Sequence, residues 1–155
     1  MAQFSFLPSG ESTDLADDIR ELFEELSRSL EGRQRAFSGE CHPSLDVLVN
    51  DGAVEVIMDV SGVPADALRV LFRTGVLIVA GEKAPPPAGE DQTFHLVERE
   101  FGRFARAVRL NGAFDIPKSR ATLRDGELRI VLPKLEDRRG RAHPIRIITG
   151  PDHPA

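Results

Sequence analysis

The chain has 155 residues, 41% hydrophobic and 29% charged, with a net charge of -5; that is enough for one core with extensions, too little for two full domains and too apolar for disorder throughout. No apolar run nears the roughly 18 residues of a membrane-crossing helix, and 11 Pro with 13 Gly argue against a helical bundle. The lone Cys41 has no thiol to pair with, four scattered histidines lack zinc-ligand spacing, and the N-terminus lacks a basic then apolar leader, so a soluble, cytoplasmic protein is expected.

The first element predicted is an amphipathic helix over 12–30, within an N-terminal arm spanning 1–42. Leu15, Ile19, Leu22, Phe23, Leu26 and Leu30 recur at steps of three and four and line one face. Ser12 or Thr13 is the expected N-cap, Asp14, Asp17 and Asp18 suit the positive helix start, Arg28 suits the other end and Gly32 the stop. Such a face needs a partner: the main domain, another subunit or another protein.

From 43 to 135 the period changes to two. Leu45, Val47 and Val49 alternate, as do Val54, Val56, Met58 and Val60, then Leu68, Val70 and Phe72, and later Leu128, Ile130 and Leu132. Turn residues separate these runs at Asn50-Asp51-Gly52, Thr74-Gly75, Asn111-Gly112 and Asp125-Gly126. Short strands at this spacing, with no helix long enough for a crossover, predict an all-β fold, an antiparallel β-sandwich. The stretch 81–92, GEKAPPPAGEDQ, reads as a projecting loop because three prolines cannot donate ladder hydrogen bonds; a short strand is expected beyond it at 93–97.

The tail, 136–155, is polar except for Ile145, Ile147 and Ile148. In extended chain Ile145 and Ile147 project from one face, about 6.5 to 7 Å apart, and Pro144 biases the approach toward that conformation. Burying both is worth roughly 3 to 6 kcal/mol gross, against about 1 to 2 kcal/mol for each residue ordered. One such contact is weak and reversible, whereas many in one assembly hold through effective concentration.

Charge divides unevenly: residues 1–98 sum to -11 and residues 99–146 to +7. Tyr and Trp are absent, so no stacking platform accompanies the basic half, and complementary halves or subunits are favoured over nucleic acid. Catalytic signatures are missing: no phosphate loop, no Gly-x-Ser-x-Gly elbow, no His-Glu-x-x-His. Cys41 and His42 are adjacent and so point apart in extended chain. No enzyme, cofactor or metal is expected.

Several motifs occur in a telling order. Asp59-Val60-Ser61-Gly62-Val63 with Ala65-Asp66-Ala67-Leu68 is followed by Val76-Leu77-Ile78-Val79-Ala80-Gly81-Glu82-Lys83, the loop, Val97-Glu98-Arg99-Glu100-Phe101-Gly102-Arg103-Phe104-Ala105-Arg106, then Ala121-Thr122-Leu123-Arg124-Asp125-Gly126-Glu127-Leu128 leading to Leu132-Pro133-Lys134, and finally Ile145-x-Ile147. Over about 43–147 this resembles the α-crystallin domain of the small heat-shock protein family. Ser61, Asn111 and Glu127 depart from the family's usual Pro, Pro and Val; Glu127 puts a charge at a strand start.

The resemblance implies an immunoglobulin-like sandwich with a helical arm and an extended C-terminal tail. It implies an ATP-independent holdase that binds unfolding clients, works as a dynamic oligomer of dimers and passes clients to ATP-dependent refolding chaperones. The long loop resembles that of the bacterial and plant type of dimer, which implies that 93–97 pairs with a neighbouring subunit's sheet and places Phe94, His95 and Arg106 at the dimer interface. It also implies that Ile145 and Ile147 dock in a groove lined by Val70, Phe72 and Leu123. Phe4, Phe6, Leu15, Ile19, Leu22, Phe23 and Leu26 are the candidate client-binding residues of the arm. The competing reading is a co-chaperone or scaffold module, resembling p23, that docks one specific partner.

Overall fold

A computed structural model of the chain describes residues 11–30 and 39–135, with only the backbone of 11–13. Helix α1 (Glu11–Ser29) precedes seven strands: β1 (Leu45–Val49), β2 (Ala53–Asp59), β3 (Leu68–Arg73), β4 (Val76–Lys83), β5 (Gly102–Arg109), β6 (Arg120–Arg124) and β7 (Glu127–Pro133). They form two antiparallel sheets, ordered β1-β2-β7-β6 and β3-β4-β5. The fold is thus the expected β-sandwich.

Turn chemistry sets the hairpins. Arg73 pairs with Val76 and Arg124 with Glu127, which leaves two-residue loops. Thr74-Gly75 and Asp125-Gly126 both have positive φ at each residue, the backbone that matches the twist of the flanking strands. At the β1–β2 turn the Asn50 Oδ1 accepts from the N–H groups of Gly52 and Ala53 at 2.9 and 2.8 Å. That side chain mimics a turn of backbone.

Between the sheets lies the main core, with Val54, Val56, Met58, Val60, Leu77, Val79, Phe104, Leu128, Ile130 and Leu132 all buried. Strand β4 is buried from Val76 to Glu82 because it is central in its sheet and covered on both faces. Its odd residues Leu77 and Val79 enter the sandwich, while Val76, Ile78 and Ala80 join a second cluster with Leu15, Leu22 and Leu26. The helix therefore lies on the outer face of the three-stranded sheet. Of the three partners open to its apolar stripe, the chain's own domain takes it.

Residues 93–97 are exposed coil in the single chain: a strand needs a neighbour, and among the described residues none pairs with them. Two expectations are corrected. Helix α1 is already formed at Glu11, so Ser12 and Thr13 lie within it and neither is its N-cap. The projecting loop starts after Lys83, because Gly81, Glu82 and Lys83 still pair with Phe104, Arg103 and Gly102.

Candidate functional site: apolar margins and a helix seat

Four strands facing three cannot close on both sides, and the open margins carry the candidate residues. Val70 shares a face of β3 with Leu68 and Phe72, the face turned toward the other sheet, yet it is 38% exposed. Phe72 packs against the core and meets Phe114 edge-to-face at 5.6 Å between ring centres. Leu123 of β6 packs against the same core from the opposite sheet.

The orientation of the two sheets follows from the other margin. Arg106 donates through Nη1 to the Pro43 carbonyl at 2.6 Å, and Cys41 and Gly39 exchange backbone hydrogen bonds with Arg103 at 3.2 Å each. Strand β5 is thereby tied to the segment entering β1. Given the two strand orders, β3 then faces β6, so Val70, Phe72 and Leu123 line one margin. Arg106 is half-buried on the inward face of β5 and spends one guanidinium nitrogen on this bond within the chain.

The third margin combines β1 and the long loop. Val47 and Val49 face inward, opposite buried Val56 and Val54, but are exposed because no strand of the smaller sheet covers them. Leu48 on the other face is exposed too. In the loop, Phe94, Leu96 and Val97 are all more than half exposed, and His95 beside them is exposed. Three large apolar side chains are thus grouped in the open on one loop.

Helix α1 carries five of the candidate client-binding residues. Leu15, Leu22 and Leu26 are buried and Ile19 and Phe23 partly buried against β3, β4 and β5. An ionic frame surrounds this contact. Arg73 donates to Asp18 at 2.6 Å, Arg69 contacts Glu25 at 3.6 Å and donates to the Ser29 hydroxyl at 2.5 Å, and Arg103 donates to Glu82 at 3.4 Å and to the Ser27 hydroxyl at 3.3 Å. The Arg103 guanidinium also stands over the Phe23 ring, 5.5 Å from its centre. Sequence reasoning missed these arginines. The unbroken apolar run from Val76 to Ala80 was the available signal, since a strand covered on one face alternates and one covered on both does not.

Cys41 is buried, its Sγ 3.5 Å from the Gly102 carbonyl oxygen, and burial chiefly pushes its thiol pKa up. His42 instead donates its backbone N–H to Glu100 at 3.2 Å. Among the described residues no group of His, Cys, Asp and Glu is placed to hold a metal ion. Glu127, the charge at a strand start, is half-exposed and paired with Arg129, which also bonds Glu55. Phe4, Phe6, Ile145 and Ile147 lie outside the described residues.

The two antiparallel sheets, ordered β1-β2-β7-β6 and β3-β4-β5, form a β-sandwich of the α-crystallin fold. The structure of heat shock protein 16.0 from Schizosaccharomyces pombe is similar, with a TM-score of 0.61, 27% identity, and coverage of 70% of this chain and all of that one. The profile of the Hsp20/alpha crystallin family matches residues 46–148, and the chain belongs to that family of non-enzymatic chaperones. Heat shock protein 16 of S. pombe is 27% identical over 120 residues, 76% of this chain and 84% of that protein. Small heat shock protein C4 of Rickettsia felis is 26% identical over 99 residues, which is 64% of this chain but only 61% of that relative's length.

Proposed function

We propose that this protein is an ATP-independent holdase that covers apolar surface on unfolding proteins and works as a dynamic oligomer of dimers in the cytoplasm. The observation that carries the reading is the set of inward-facing or loop-borne apolar side chains left exposed at the margins: Val70, Val47, Val49, Phe94, Leu96 and Val97. Each is suited to another polypeptide, and none requires chemistry.

In the dimer, the segment 93–97 of one copy pairs with the open edge of β1 in the other, where Val47 and Leu48 offer apolar contacts on both faces. Phe94 and His95 enter that interface, with Arg106 at its rim. The margin of Val70, Phe72 and Leu123 accepts Ile145 and Ile147 of another subunit's tail, a weak contact that multiplies across the assembly. The arm, through Phe4, Phe6 and the α1 stripe, contacts clients when it leaves its seat. Held clients pass to ATP-dependent refolding chaperones.

Light scattering of a heat-denatured model client tests the proposal. Suppression at a stoichiometric ratio is expected; undiminished scattering overturns the holdase reading. Native mass measurement tests the assembly, with Ile145→Ala and Ile147→Ala together expected to reduce the oligomer to small units.

A further inference from the structure

The seat beneath α1 is a shaped surface in its own right. Its floor is Val76, Ile78 and Ala80 along β4, with Leu71 on one side and Ala105 on the other. Its walls are cationic: Arg69 and Arg73 rise from β3, Arg103 from β5. Glu82, buried at the β5 side, is paired with Arg103.

The present occupant defines what fits. Helix α1 presents a leucine stripe downward and carboxylates toward the β3 wall, Asp18 to Arg73 and Glu25 to Arg69. On the other wall the contact is made by Arg103 with Ser27 and the Phe23 ring, and a groove open to solvent runs beside it, lined by Phe23, Glu24, Ser27, Arg28 and Arg103. Most ion pairs of the frame keep one partner well exposed, so water and salt compete for them. A helix held by a generic apolar strip and screened charges is replaceable by another of the same pattern.

We infer that the outer face of the β3-β4-β5 sheet is a second client-binding surface, specific for amphipathic helices with an apolar stripe and flanking carboxylates, and that α1 is its built-in competitor. Unfolding proteins expose such helices when the core that covered the apolar face is lost. Departure of α1 then does two things at once: it frees the leucine stripe and opens a seat of opposite charge to the acidic arm. The inference rests on the chaperone reading above, but it assigns capture to a different surface from the arm.

The test uses the full chain and a fluorescent synthetic peptide with the sequence of residues 11–29. An internal competitor reduces apparent affinity by the fraction of time that the seat is open. Asp18→Asn weakens the competitor and leaves the seat intact, so it is expected to bind the peptide about fivefold or more tightly than the parent chain. Adding Arg73→Glu to that variant sets a carboxylate against the peptide's own and is expected to weaken binding about tenfold. Should the Asp18 variant fail to fold, Glu25→Gln with and without Arg69→Glu repeats the measurement at the more exposed pair. Equal binding by parent and Asp18→Asn chains, or indifference to the wall arginine, overturns the inference. Client scattering is read separately: suppression without peptide binding sinks only the second surface, whereas failure of the parent chain to suppress scattering sinks the chaperone reading.

Discussion

The Arg73 guanidinium on β3 stands 2.6 Å from the Asp18 carboxylate on α1, across a boundary of 55 residues in sequence, with Asp18 only 6% exposed and Arg73 facing solvent. The pair fixes the N-terminal half of the helix on the sheet. Arg73→Ala leaves a buried carboxylate without its cation, at a cost of about 1 to 3 kcal/mol. The expected result is faster amide hydrogen exchange in α1 with the sandwich strands unchanged; uniform exchange across both would contradict it.

Leu26 is the most buried side chain of the helix stripe, at 1% exposure. Truncation to Ala removes its contacts with the β4 floor and leaves a cavity, about 2 to 5 kcal/mol for a core leucine. Proteolysis near 11–30 is expected to speed up well before the domain's own unfolding transition moves.

Gly102 has φ +128, and a Cβ there would lie 2.0 Å from the Gly39 carbonyl oxygen, where 39–41 hydrogen-bonds along the β5 edge. Gly102→Ala is expected to lower the urea midpoint by an amount equivalent to more than about 2 kcal/mol. Gly52→Ala is the control. Its Cβ would meet only the Asn50 side chain at 3.7 Å, so a change within about 0.5 kcal/mol is expected.

Burial pushes the Cys41 thiol up, with Lys83 opposing and Glu100 adding to the shift. Ionisation thus favours the unfolded chain. This contribution to stability is intact at neutral pH and falls as the pH rises past the ordinary thiol pKa toward the raised folded value. Alkylation of Cys41 at mildly alkaline pH is expected to run at least about tenfold slower than in urea-unfolded protein; equal rates would show that the thiol is not held in the core.

Leu96 and Val97 sit in a loop where nothing among the described residues covers them. If they cover β1 of a second copy, Leu96→Ser with Val97→Ser removes apolar burial of about 1.5 to 3 kcal/mol per side chain and per copy. A shift toward monomer at micromolar concentration is expected by sedimentation, with the strand content by circular dichroism retained.

Much of the fold was legible along the chain because it depends on neighbours. Alternation in β2 reports one buried face, and Asp125-Gly126 reports a backbone with positive φ at both residues. The helix stripe was equally clear, as leucines three and four apart share a face wherever the helix goes. The mixed wall of arginines was not. Arg69, Arg73 and Arg103 look like ordinary solvent-facing strand residues until α1 is laid across them.

From the sequence alone came the period of each element, the places where the chain turns, and the family whose order of motifs it follows. Tertiary structure decided that the α1 stripe is spent on the chain's own sheet, that no described strand of the same chain pairs with 93–97, and that Arg106 is engaged by Pro43. The reason is range: periodicity and φ are properties of a few consecutive residues, whereas the partner of an apolar face or an edge is chosen by surfaces brought together from distant parts of the chain.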